Sequence, residues 1–268
     1  MAIATNVTEK YVTLSHGRTR YLEAGTGAPT ILLHGVGYTA GGDSWFLNIG
    51  PLAQKVRVLA VDFLGWGLGD RLDLEYSFAY LVDFVREFQD ALGLEKSNIV
   101  GHSMGGWVAS VFAYESPNRV NKLVLVASGG TATRTLASMT EFKSPSRDDI
   151  KAQLQKRVKA PGVDLDQLAA EQFQRTQIPG ALEAYQGVLR HMNNPLTRQR
   201  YNTLRRLPYI TAPTLVVWGR QDSTNAPEMG ENTARLVPGS KLVVIEDCDH
   251  FIPTEKPEEF NKALLEFL

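Results

Sequence analysis

Gly101-His102-Ser103-Met104-Gly105 fits the pattern G-x-S-x-G, and its neighbours decide how it is read. Asn98 to Val100 ahead of it is a short β-prone run, and Met104 to about Tyr114 behind it is helix-prone. A serine on a tight strand-to-helix turn is exposed at the C-terminal edge of a sheet, and glycines permit the close backbone approach that such a turn needs. The start of the following helix also offers free N–H groups and partial positive charge to an oxyanion. Read without that context, the same residues are only a glycine-rich turn.

Outward from this point, strand-like runs recur at Thr19 to Glu23, Thr30 to Leu33, Val56 to Val61, Lys122 to Val126, Thr214 to Trp218 and Lys241 to Ile245. After the first they are nearly continuous in apolar residues, as in parallel strands covered on both faces. Leu81, Phe84, Val85, Phe88 and Leu92 lie between them at helical spacing. This alternation predicts an α/β fold with a mostly parallel sheet. It breaks between about Gly130 and Arg206, where segments such as Asp149 to Val158 and Leu165 to Arg175 read as helices and five prolines, from Pro145 to Pro208, cut this stretch and its exit into short pieces. The expected organisation is a core of residues 1–129 and 207–268 carrying a helical cap of residues 130–206.

A serine hydroxyl is a weak nucleophile that needs a base, and the base needs an orienting acid. Asp222 follows the strand-like run Thr214 to Trp218, and His250 follows Lys241 to Ile245, so both fall on the sheet edge that carries Ser103. His16, His34, His102 and His191 lack that placement, and Asp247 and Asp249 are too near His250 in sequence to orient it easily. Ser103, Asp222 and His250 are therefore the expected catalytic residues. The backbone N–H groups of Met104 and Val36 are the expected oxyanion donors, Val36 lying in the loop His34-Gly35-Val36-Gly37. Gly65-Trp66-Gly67-Leu68-Gly69 looks like a dinucleotide loop but lacks the helix and acidic partner that would make it one.

Composition bounds the rest. The 268 residues carry 28 Lys+Arg and 29 Asp+Glu, a formal charge of -1, with 43% hydrophobic residues. A chain of this size buries roughly 75% of its unfolded surface, so a large core needs no staples. Near-neutral charge leaves no basic footprint for nucleic acid. The single Cys248 excludes internal disulfides and cysteine-rich zinc sites. Met1 to Lys10 lacks the pattern of a secretion signal, and no run reaches the ~18 apolar residues of a membrane span. The expectation is a cytoplasmic protein with a small-molecule substrate, no cofactor, no metal, no nucleic-acid or membrane partner, and compatible with a homo-oligomer. Its neutrality hides an asymmetry: residues 131–206 hold 13 Lys+Arg against 7 Asp+Glu, a field that attracts anions.

Through His34-Gly35, Asp62 to Gly67 (DFLGWG), Gly101 to Gly106 (GHSMGG), Trp218 to Asp222 (WGRQD) and Asp249 to Phe251 (DHF), the sequence resembles the α/β-hydrolase superfamily over essentially its whole length. The chain order Ser, Asp, His matches that fold. The resemblance implies an eight-stranded sheet with a helical cap between strands six and seven. A serine at position 103 argues against the dehalogenases and epoxide hydrolases of this fold, which use aspartate.

Within the superfamily it is most similar to the hydrolases of meta-cleavage products, which break C–C bonds in vinylogous diketo acids, and to related esterases and enol-lactonases. Ser103-Met104, the glycine-rich stretch after His34 and Ser128 to Gly130 (SGG) carry that likeness. Three departures stand beside it: His102 where the C–C hydrolases have Asn, Phe251 where they have Trp, and only Arg175 as a candidate for the cap arginine that grips the substrate carboxylate. They point to hydrolysis of a carboxylic ester or lactone of a small aromatic or anionic substrate, with C–C cleavage of 2-hydroxy-6-oxo-dienoates as the alternative. A ligand receptor or non-hydrolytic lyase of this fold, or an interaction protein with a relic elbow, are the readings of another class. Gly35, Gly37, Trp45, His102, Trp107, Phe142, Arg175 and Phe251 are the expected substrate-binding residues.

Overall fold

The computed structural model describes residues 6–132 and 142–268. Eight strands form one sheet: β1 (Thr8–Leu14), β2 (Gly17–Ala24), β3 (Pro29–Leu33), β4 (Arg57–Val61), β5 (Ser97–His102), β6 (Val120–Val126), β7 (Thr214–Gly219) and β8 (Lys241–Ile245). Their order across the sheet is β1-β2-β4-β3-β5-β6-β7-β8. β1 and β2 form an antiparallel hairpin that joins β4 antiparallel, and every pairing from β4 to β8 is parallel. The seven runs read from the sequence are strands. β1 was not among them because four of its first residues are exposed in succession and present neither an apolar run nor a clean alternation.

Helices cover both faces. α1 (Ile49–Leu52), α2 (Phe78–Ala91) and α3 (Met104–Glu115) precede β6, and α8 (Pro227–Leu236), α9 (Ile252–Glu255) and α10 (Pro257–Phe267) follow β7. Between β6 and β7 lie α4 (Arg147–Arg157), α5 (Leu165–Thr176), α6 (Ala181–Asn193) and α7 (Pro195–Tyr201). The odd and even residues of the central strands feed two different cores. Ile31, Leu33, Ile99, Leu123 and Leu125 pack on α2 and α3, while Leu32, Val100, Val124 and Val126 pack on Leu52, Phe260 and Leu264. This two-sided burial is why these strands read as unbroken apolar runs.

The inserted helices are anchored by both apolar packing and hydrogen bonds. Ala184, Tyr185, Val188, Leu189 and Met192 of α6 join the core around α2 and α3, whereas Ile150, Leu154 and Val158 pack with Ala169 over Phe46 and Leu47. The two ends of the insertion are tied where Thr203 N donates to Gly130 O at 2.8 Å. Gly130 has φ +99, and a Cβ there would lie 2.6 Å from the Trp107 ring, so this junction needs glycine.

Candidate active site

β5 ends at His102, and Ser103 turns the chain directly into α3. Ser103 has φ 54 and ψ -113, a conformation rare for a residue with a side chain. The turn closes because its flanks are bare: a Cβ on Gly101 would sit 2.3 Å from Gly105 O, and one on Gly105 would sit 2.3 Å from Leu33 O. Ser103 N donates to Val126 O at 2.9 Å, and Ser103 O accepts from Gly129 N at 2.9 Å. The hydroxyl is thereby held at the C-terminal edge of the sheet.

His250 Nε2 is 3.0 Å from Ser103 Oγ, and its Nδ1 is 2.9 Å from Asp222 Oδ2. Asp222 is itself fixed, its Oδ1 accepting from Thr224 N at 2.9 Å and Asn225 N at 2.7 Å. With Nδ1–H donated to the carboxylate, Nε2 is left as an acceptor for the serine proton, the tautomer that a general base requires. Sequence separations of 147 and 28 residues collapse into one line of hydrogen bonds because three strand ends meet at one sheet edge.

Met104 N is the first N–H of α3, and neither it nor Val36 N has an acceptor among the described residues. Both residues line the cavity in front of Ser103. The Val36 loop lies close: a Cβ on Gly35 would be 3.3 Å from Ser103 Cβ. His34 locks that loop, its Nδ1 contacting Gly35 O at 2.7 Å while Nε2 accepts from Phe63 N at 3.1 Å. The arrangement can stabilise an oxyanion next to an activated hydroxyl. Below the loop Asp62 accepts from Gly42 N, Leu68 N and Arg20 Nε at 2.6, 2.7 and 2.8 Å. That is the structural use of DFLGWG, whose glycine pattern had invited a nucleotide reading.

The cavity has a volume of about 660 Å³, within the range of small-molecule sites. Of the residues expected to bind substrate, Gly35, Gly37, His102, Trp107 and Phe251 line it. Three others, Trp45, Phe142 and Arg175, are not among the residues that line it. Trp45 is only 1% exposed and lies in the core, stacked on Phe260 at 6.1 Å, because its 3₁₀ turn directs it under the loop while Ser44 and Phe46 face the cavity. Phe142 packs on Tyr185 and Tyr38 at 4.6 and 5.0 Å, so an aromatic cluster behind the wall takes it up. Arg175 turns away from the cavity to Thr39 O at 2.9 Å and to Asp43, which it grips with two nitrogens. Burial alone would push the Asp43 carboxyl up, but Arg175 and Arg20 hold it below the usual range.

Sequence reasoning missed Arg157 and Arg198, which line the cavity from α4 and α7. A signal existed for Arg157. Ile150, Leu154 and Val158 mark the inward face of α4, and Arg157 falls on that face seven residues after Ile150.

His102 has a second task besides lining the wall. Its Nε2–H donates to His250 O at 2.9 Å, tying the loop of the base to the elbow. Burial holds this imidazole neutral and pushes it down to about 3 from an ordinary 6.5. Burial also lowers His34. In the pH range between the two values the unfolded chain binds a proton that the folded chain refuses, so stability falls as pH drops below about 6.5 and levels only near 3. The contribution of His102 to that slope approaches about 1.4 kcal/mol per pH unit. Urea titrations from pH 7 to 4 should show the loss, and His102→Gln should flatten the slope. An unchanged slope in that variant would remove His102 from the account.

Against this geometry, the family description "alpha/beta hydrolase fold" matches residues 29–257. The chain belongs to the α/β-hydrolase fold family. It is 31% identical to a 2-hydroxy-6-oxononadienedioate/2-hydroxy-6-oxononatrienedioate hydrolase of Comamonas testosteroni, over 98% of this chain and 97% of that one. It is 32% identical to a 2-hydroxy-6-oxo-6-phenylhexa-2,4-dienoate hydrolase of the same species, over 92% and 90%. Among solved structures, a meta-cleavage product hydrolase from Pseudomonas fluorescens IP01 superposes with a TM-score of 0.83 at 26% identity, covering 96% of both chains. This α/β-hydrolase is therefore meta-cleavage product hydrolase-like, an enzyme of the hydrolase class. Among its described residues no helix is long and apolar enough to cross a membrane.

Proposed function

We propose that the protein is a serine hydrolase of 2-hydroxy-6-oxo-dienoates, cleaving the C–C bond next to the 6-oxo carbon. One observation carries the class of reaction: Ser103 Oγ, His250 Nε2 and Asp222 stand in one hydrogen-bonded line, with Ser103 and His250 lining the cavity. The relatives named for C–C hydrolysis match it almost end to end, which moves the balance away from the ester or lactone reading that His102 and Phe251 had suggested.

In this reading His250 takes the Ser103 proton as the oxygen attacks the 6-oxo carbon, and the Val36 and Met104 N–H groups hold the resulting oxyanion. Collapse breaks the C5–C6 bond. A carbon leaving group needs an electron sink, and in the 2-keto tautomer the electron pair passes through C3–C4 onto the 2-oxo oxygen, giving a dienolate that His250 protonates. The acyl group remains on Ser103 until water, deprotonated by His250, releases it as a carboxylic acid. Asp222 holds the imidazole in its working tautomer throughout. The helices between β6 and β7 act as the lid that shapes the substrate.

Stopped assays on a ring-fission dienoate, a set of p-nitrophenyl esters and a set of lactones test this. The dienoate should exceed the best ester in kcat/KM by about 100-fold or more, as expected where a site is built to bind one substrate's polar groups. Faster turnover of a simple ester or lactone would return the protein to the esterases.

A further inference from the structure

The four inserted helices are not held in one way. α6 belongs to the main core, where Val188, Leu189 and Met192 are buried with Phe78 of α2 and Trp107 of α3. Polar contacts tighten the same seam: His191 Nε2 accepts from Phe78 N at 3.1 Å, and Trp107 Nε1 donates to Tyr201 O, at the end of α7, at 2.8 Å. α4 and α5 instead bury Ile150, Leu154, Val158 and Ala169 in a small cluster of their own. From the body of the protein that cluster takes in the half-buried Phe46 and Leu47. Less apolar surface is lost when such a unit opens, so it opens at lower cost than the core.

Both ends of this pair return to the same place. Phe142, just ahead of α4, packs its ring on Tyr185 of α6 at 4.6 Å. After α5 the chain turns at Gly180, with φ +78, directly into α6, within two helical turns of Tyr185. Residues 143–179 therefore leave and rejoin the body beside the N-terminal end of α6, as a flap on one hinge does. A glycine at positive φ suits the backbone rotation that a hinge absorbs.

Polar contacts hold the rest of the flap against the body. Arg175 donates to Thr39 O at 2.9 Å and grips Asp43 with two nitrogens, and Thr39 Oγ1 donates to Gln172 Oε1 at 2.7 Å. Lys159 N donates to Thr254 O at 3.2 Å, and the Arg157 guanidinium lies 3.9 Å from the Phe251 ring centroid. On opening, such groups exchange their partners for water, so their net hold is modest, with the charge-assisted grip on Asp43 the strongest of them. Leu154, Arg157, Val158 and Gln172 of the flap line the same cavity as Ser103 and His250. We propose that residues 143–179 open as one body, pivoting beside Gly180 while α6 and α7 stay with the core, and that this opening admits the substrate to Ser103. Arg175 is the latch. The motion is independent of which bond the enzyme cleaves.

Amide hydrogen exchange on the full-length protein reads the motion directly. In the wild type the amides of α4 and α5 should exchange about 100-fold faster than those of α6, as a unit that opens apart from the core does. Arg175→Gln should speed α4 and α5 together by about 10-fold more, from the loss of charge-assisted hydrogen bonds, and leave α6 unchanged. Acceleration confined to α5 would mean that the two helices are not one body and would overturn the proposal. Exchange of α6 in step with α4 and α5 would overturn it too, and the wild type alone shows that outcome whether or not the variant folds. The link to catalysis is read from labelling of Ser103 by an ethyl fluorophosphonate and by one carrying a long alkyl chain and a fluorophore. Arg175→Gln should raise the rate of the bulky probe about 10-fold and change that of the small one by less than about twofold, because only the bulky one waits for the flap. An equal change in both rates would show that Arg175 supports the site rather than access to it, and the gating role would fall. Absence of labelling by either probe in the wild type would sink the serine hydrolase reading, while the exchange pattern would still decide the motion.

Discussion

Ser103→Ala should lower turnover by about 10⁴ to 10⁶-fold while leaving substrate binding close to unchanged. The magnitude follows from what the substitution removes. Alanine keeps the Cβ, the backbone bonds to Val126 and Gly129 and the glycine-lined turn, and deletes only the oxygen that His250 approaches at 3.0 Å. The donors of Val36 and Met104 remain, so residual catalysis above the uncatalysed rate should survive. Ser103→Gly separates strain from chemistry. Ser103 is one of only a few non-glycine residues with positive φ among the described residues. A glycine there should be more stable than the alanine variant by roughly 1–3 kcal/mol, because the conformation costs a residue with a Cβ about that much. Both variants should be inactive, and their melting temperatures should differ. Retention of more than a few per cent of wild-type activity by either would show that the reacting oxygen comes from elsewhere, and the proposed mechanism would fall.

The elbow and its two partners were legible in sequence because their signal is topological. Each residue follows an apolar run at a strand's C-terminal end, and a parallel sheet brings such ends together whatever lies between them. The substrate pocket was not legible in the same way. Trp45 and Phe142 are aromatic residues near the right elements, but whether such a ring faces a cavity or a core depends on one turn of 3₁₀ helix or one neighbouring tyrosine, which no periodicity encodes. Arg175 has the right charge in the right segment, yet its destination was set by Asp43, 132 residues away in the chain. Arg157 was hidden by the opposite effect. α4 is rich in charge, so its short stripe of Ile150, Leu154 and Val158 is diluted, and the arginine that shares the stripe reads as one more solvated side chain. The basic excess between residues 131 and 206 was visible from composition. Its partition into one arginine paired with Asp43 and two that face the cavity required the packing.

Asp222→Asn should cost about 10⁴-fold in kcat, although it changes no atom of the reacting pair. The reason lies behind the carboxylate. Asp222 Oδ1 accepts two backbone N–H groups, from Thr224 and Asn225, while Oδ2 faces His250 Nδ1. An asparagine must place its carbonyl oxygen toward the two backbone donors, since its NH₂ there would leave three donors facing one another. The NH₂ then points at Nδ1 and turns that nitrogen into an acceptor. The ring proton moves to Nε2, which now donates to Ser103 Oγ and has no lone pair to receive the serine proton. The variant should therefore fold with an intact hydrogen-bonded line and react slowly with fluorophosphonates as well as with substrate, since both need the same serine activation. Raising pH should recover part of the rate, because hydroxide can replace the lost base. Thermal stability should change far less than activity, the carboxamide keeping both backbone contacts. A loss of less than about tenfold would mean that another group orients His250, contrary to the geometry at Oδ1 and Oδ2.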